Sequence, residues 1–117
     1  MNMIIKKVNL LSALEKAPLF DYVKIGALND HMMHVVQVEN RTLEFHSHEN
    51  SDEMFYVIEG EMQLAFENEV IDLKEGDCVV VPKGVLHRPI CTSLVKILLI
   101  EKNGTLTKDN TGGTYKG

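Results

Sequence analysis

Cysteine is scarce: Cys78 and Cys91 are the only two among 117 residues. Two thiols make no disulfide framework, and a reducing cytosol suits them. Basic clusters are missing as well. Lys and Arg total 12 against 17 Asp and Glu, a net charge of −5, which argues against nucleic acid and anionic membrane as partners. No apolar run approaches a bilayer span; the longest beyond the N-terminus, Val95 to Ile100, is broken by Lys96. The opening MNMIIKKVNLLSALEK is too interrupted for a secretory core and no small-residue cleavage site follows, so a cytoplasmic location is expected. The sequence has no G-x-S-x-G, no phosphate loop, no zinc-finger spacing and no repeat at a fixed period.

What remains is enough for one globular domain. Hydrophobic residues make up 44% and charged residues 25%, which excludes intrinsic disorder. A chain of 13.2 kDa buries about two thirds of its unfolded surface, so no covalent staples are needed. One helix is expected, Asn9 to Lys16, where Ser12 and Glu15 have capping-box spacing and Pro18 blocks extension. Short strands separated by turn residues follow: Tyr22–Leu28, Met32–Val38, Thr42–His48, Glu53–Glu59, Glu61–Phe66, Val70–Leu73, Asp77–Val81, His87–Ile90 and Leu94–Ile100. Many short strands at this spacing predict an all-β antiparallel sandwich or barrel over residues 1–101. Residues 102–117, with Gly104, Gly112, Gly113 and scattered threonines, read as an irregular tail, or an arm that orders on a partner.

Period-two alternation places Glu44, His46 and His48 on one strand face and Leu43 and Phe45 on the other. Leu94–Ile100 and Asp77–Val81 are apolar on both faces. A barrel wetted outside would show polar residues there, so a second copy of the chain is the expected cover, making a homodimer. Cys78, within an apolar strand, is expected in the core. The same parity places no lysine or arginine inside the barrel.

Three of the five histidines join one pattern. His46-Ser-His48 is followed after four residues by Glu53, and His87 follows the tight Pro82-Lys83-Gly84 turn. Residues i and i+2 of a strand point the same way about 6.7 Å apart, so two imidazoles can converge on one ion. Three imidazoles and a carboxylate suit a divalent transition metal: Mn, Fe, Co, Ni, Cu or Zn. Taken alone, H-x-H is a weak signal, and Glu53 or His87 alone would read as a solvated residue.

The glycines and proline around these residues make the pattern specific. His46-x-His48-x4-Glu53-x6-Gly60 resembles the first motif of the cupin superfamily, and Gly76-x5-Pro82-x-Gly84-x2-His87 resembles the second. The chain is similar to small single-domain bacterial cupins, including those described as mannose-6-phosphate-isomerase-like. Two positions depart from the pattern: Asn40 stands where a glycine is expected, and Cys91 where an asparagine is expected. The resemblance implies a double-stranded β-helix, the jelly-roll barrel, with a short N-terminal helix or turn. It also implies a metal held by His46, His48, Glu53 and His87.

Three functions follow from that resemblance. The first is a metal-dependent enzyme acting on a small organic molecule, with metal positions left open for substrate or O₂. The second is a non-catalytic module that binds metal or a small ligand. The third is a sugar-phosphate isomerase, which would need cations for the phosphate; with no cation placed inside, it ranks last. The expected ligand is a small uncharged or carboxylate-bearing molecule packing on Phe55, Val57, Met62, Leu64 or Phe66.

Overall fold

The computed structural model describes residues 5–117. A single short helix, α1 (Leu10–Leu14), precedes nine strands. These are β1 (Val23–Leu28), β2 (His31–Val38), β3 (Arg41–Thr42), β4 (Glu53–Glu59), β5 (Glu61–Ala65), β6 (Val70–Lys74), β7 (Cys78–Val81), β8 (Arg88–Cys91) and β9 (Val95–Lys102). They form two antiparallel sheets, β1-β2-β9-β4-β7 and β3-β8-β5-β6. The fold is the jelly roll expected from the sequence.

The core between the sheets follows from strand alternation. Phe55 and Val57 on β4, Ile97 and Leu99 on β9, and Val36 and Val38 on β2 all face inward and are buried. The tight turn at Gly60 lets β4 turn into β5. Gly60 has φ +89°, and a Cβ there would lie 2.5 Å from the Leu94 carbonyl oxygen, a contact only glycine avoids. Asn40 turns the chain before β3 with φ +55°, the left-handed conformation that asparagine tolerates.

Helix α1 begins earlier than a cap at Ser12 would place it. Asn9 is the cap, accepting the Ser12 backbone N–H at 2.9 Å, and Glu15 closes the other end. The carboxamide of Asn9 satisfies the donor three residues on, as a capping side chain does, so Ser12 sits inside the first turn. Gln37 fixes the following segment by donating to the carbonyls of Leu14 and Ala17 at 3.1 and 2.6 Å.

This helix also changes the account of the doubly apolar strands. Leu14 packs with Val35 and Leu98 in a second cluster on the outer face of the larger sheet. Leu98 is therefore covered by the chain's own helix and needs no second copy for its burial. Farther along that face, Val80 remains 55% exposed. Cys78 is exposed and Cys91 is buried, the reverse of what was expected for Cys78. Cys78 lies on β7, an edge strand, opposite Tyr56, where the apolar pattern carries no burial with it.

The expected strand Thr42–His48 is the largest difference. Regular pairing stops at Thr42, which lies opposite Ile90, and resumes only as a single bridge between His46 and His87. The register shifts by one residue between those two pairs, and such a bulge reverses the side-chain parity beyond it. Residues 103–117 fold back in turns on the same barrel, burying Leu106 and Thr111.

Candidate metal centre

The bridge between His46 and His87 is the foundation of the site. Each backbone N–H donates to the other's carbonyl at 2.9 Å, which locks two distant segments together. Their rings are oriented by further backbone bonds. His46 Nδ1–H donates to the Glu44 carbonyl at 2.8 Å, and His87 Nδ1–H to the Val85 carbonyl at 2.9 Å. A ring held at Nδ1 presents Nε2 as the coordinating atom. His48 lies beside them, and ligand atoms of the three rings lie within 4.8 Å of one another. Glu53, at the start of β4, directs Oε1 to His48 Nε2 at 3.1 Å and to His87 Nε2 at 3.2 Å.

The structure thus brings all four sequence-identified residues into one cluster, with His48, Glu53 and His87 buried and His46 half-buried. His46, His48 and His87 are positioned to bind a metal, and imidazole donors in this number fit a divalent transition ion. Burial lowers the pKa of His46, helped by neighbouring His87 and His48. Burial also works against a charged His87, but the bonds to Glu53 and the Val85 carbonyl, with the charge of Glu53, together outweigh it and leave the ring raised. Glu53 shows the complementary balance: burial raises it, yet the bonds from His48 and His87 hold it below its ordinary value.

The site opens onto a small cavity of about 30 Å³, little more than a water needs. Val36, Val38, Leu43, Phe55, Leu99 and Leu106 supply its apolar wall. Of the side chains expected to pack on a ligand, Phe55 lines it, whereas Val57, Met62, Leu64 and Phe66 do not. Leu43 lines the same cavity as His46 and His48, although alternation assigned it to the opposite face. The one-residue bulge accounts for this.

The bulge also brings in a residue the sequence reading missed. Arg41 lines the cavity, so the expectation of no internal cation is overturned. Unbroken alternation puts Arg41 opposite His46; the register shift puts both on one side. Its Nη2 donates to the Tyr22 hydroxyl at 2.9 Å and its Nη1 to the Thr111 carbonyl at 3.0 Å. Cys91 lines the cavity too, and burial pushes its thiol up to about 11, with Arg41 only partly offsetting this. Glu101 is the second missed residue. It lies opposite Glu53 on β9, is 1% exposed, and neither carboxyl oxygen has a partner. Burial, then the charge of Glu53, pushes its pKa up to about 8. The inward row Val95, Ile97, Leu99 extends to Glu101 by simple alternation, so the signal was there to read. His34 lies opposite Leu99, buried beneath Tyr115 at a ring distance of 5.5 Å, and does not line the cavity.

A jelly roll with a histidine cluster set inside it defines a class of small β-barrels with a candidate metal site. Residues 32–101 match the model of the Cupin domain, and the chain belongs to that family. Among curated proteins it is 38% identical over 65 residues to the uncharacterized protein YdbB of Bacillus subtilis, covering 55% of this chain and 57% of that one. It is 33% identical over 54 residues to the uncharacterized protein MJ1618 of Methanocaldococcus jannaschii, covering 46% and 42%. The chain spans about half the length of these curated relatives. A cupin-2 domain containing protein from Shewanella frigidimarina superposes with TM-score 0.77 at 33% identity, covering 82% of this chain and 94% of that chain. Protein NMB1881 from Neisseria meningitidis gives 0.73 at 27%, covering 84% and 100%.

Proposed function

We propose that this protein binds one divalent transition metal ion through His46, His48, His87 and Glu53, and that the ion binds and activates a small organic molecule. The observation that carries the reading is the convergence of three imidazoles within 4.8 Å, two of them fixed through Nδ1. When bound, such an ion supplies Lewis-acid or dioxygen-activating chemistry. The chain's own part is to fix the rings, provide a carboxylate beside them and exclude water with apolar walls.

Metal analysis of protein purified without added metal tests the reading. One ion per chain is expected, and His48→Ala or His87→Ala should abolish stoichiometric binding. Retention of the ion in both variants would place the metal elsewhere. Metal-stripped protein reloaded separately with Fe(II), Mn(II), Ni(II) or Zn(II) is then screened against diols, thiols, keto acids and sugar phosphates. Binding without turnover across all metals would assign a non-catalytic module. Sugar-phosphate turnover lost with His48→Ala would assign an isomerase, the reading for which Arg41 now offers a cation.

We further propose a homodimer formed over the exposed part of the larger sheet, where Val80 lies opposite Met54. The free thiols of Cys78 and Cys91 suit a cytoplasmic location.

A further inference from the structure

We propose that the ligand of this cavity carries a carboxylate group and that Arg41, together with Tyr22, receives it. The inference rests on the reading above that the cavity beside the histidines is the ligand site.

Arg41 is unusual in its company. A guanidinium has five N–H donors arranged to meet a carboxylate in two parallel bonds. Here its partners are neutral: the Tyr22 hydroxyl, the Thr111 carbonyl, at 3.3 Å the Thr114 hydroxyl, and the Phe20 ring, whose centroid lies 5.0 Å from the guanidinium carbon. Among the described residues its buried Nε has no hydrogen-bond partner. Among the described residues no carboxylate stands within ion-pair distance of it. The chain has 17 acidic residues, so the missing counter-charge does not reflect a shortage. A half-buried cation with a buried, vacant donor, lining the same cavity as His46 and His48, is matched by an anion that arrives from outside. The apolar walls strengthen such a pair, because little water competes for it.

Tyr22 adds the second contact. Its oxygen accepts from Arg41, which leaves the hydroxyl proton for a ligand oxygen. Thr111 marks the place now held by a neutral acceptor. A carboxylate makes the stronger, charge-assisted bond to a guanidinium, so it can displace the Thr111 carbonyl. The cavity's present size requires that displacement, since Leu106, Asn110 and Thr111 form one side of it. The segment is held together by its own hydrogen bonds. Thr107 and Asn110 bond reciprocally, and Thr111 Oγ1 donates to the Thr107 carbonyl. Its side-chain hydrogen bonds to the rest of the chain go to Arg41.

The test is calorimetric titration of malonate and pyruvate, each beside its uncharged amide, with inorganic phosphate as a third probe. Metal-free and Zn(II)-loaded full-length protein are titrated in parallel. The acids should bind at least about ten-fold more tightly than their amides. Arg41→Gln should erase that preference. Arg41→Lys, which keeps the charge but not the fork, should retain only part of it. Tyr22→Phe should weaken the acids without restoring the amides, and metal stoichiometry should stay unchanged in all three variants. Equal binding of acid and amide by the wild type, undiminished acid binding by Arg41→Gln, or phosphate binding above both acids would each overturn the inference, as would no acid binding at all. Failure of the wild type to take up metal would refute the metal reading and leave the metal-free titrations to judge Arg41. Carboxylate binding that needs Zn(II) but not Arg41 would do the opposite.

Discussion

Replacing Glu53 by glutamine removes the carboxylate that His48 and His87 share, and its effect should depend on pH in a defined way. A carboxyl held below its ordinary value stabilises the fold above its unfolded pKa, and that contribution is lost as pH falls through the folded value. A histidine held above its ordinary value stabilises below its unfolded pKa, and that contribution is lost as pH rises through the folded value. Glu53 is lowered from 4.5 and His87 raised from 6.5, so in metal-free protein both contributions are complete between those two values. Glutamine keeps one acceptor oxygen for the two rings. The net loss is then about one charge-assisted hydrogen bond, about 1.5–3 kcal/mol. For a domain of this length that corresponds to a Tm lower by about 6–12 °C near pH 5.5. Above the raised pKa of His87 the ring is neutral and the loss should shrink to about 1 kcal/mol. The assay is thermal unfolding of chelator-treated wild type and Glu53→Gln across this range. An equal or higher Tm for the variant near pH 5.5 would refute the ionised pair; so would a loss that does not change with pH. Metal should reverse the trend, because an ion needs His87 neutral. The rise in Tm on adding Zn(II) should therefore grow as pH increases through the raised pKa of His87.

Two further perturbations test the frame around the site. Gly60→Ala should cost about 2–4 kcal/mol, since its Cβ meets the Leu94 carbonyl and the Val95 Cα at 2.5 and 3.1 Å. Gly76→Ala, at a similar φ of +90° with nothing within 4 Å, should cost only about 1 kcal/mol; equal urea midpoints for the two variants would contradict the steric account. Sedimentation equilibrium at micromolar concentration should give twice the chain mass, and Val80→Asp should return it to the monomer mass. A wild-type monomer would leave Val80 as an isolated exposed side chain.

The strands were legible where burial and alternation agree. Phe55 and Val57 were expected to face the ligand and do face inward, while alternation set Val95, Ile97 and Leu99 on one face without saying which, and that face is the inward one. The four residues of the cluster were legible because His46 and His48 share one parity, and because Gly60 and the Pro82-Lys83-Gly84 turn set Glu53 and His87 in a recognisable motif. Leu43 was misassigned and Arg41 passed over, because alternation cannot register an added residue and the bulge lies between them and His46. Leu98 looked like a surface awaiting a partner because strand patterning does not reveal that a five-residue helix lies across it. Cys78 failed for the opposite reason: an apolar run at a sheet edge need not be covered.

The stretch matching the family ends at residue 101, whereas Leu106, Asn110 and Thr111 wall the cavity from beyond it. Tyr22, which lies before the matched stretch, walls it from the other end of the chain. The histidines of the candidate metal site and the flanking pieces that wall the cavity beside them therefore occupy separate parts of the sequence. Changes in the flanking pieces can retune selectivity without touching the histidines, and two barrels with the same histidine pattern can admit different molecules. Grafting residues 103–117 onto a related barrel would transfer selectivity only if Arg41 and Tyr22 went with them, because the guanidinium is the hinge-pin on which both flanks meet.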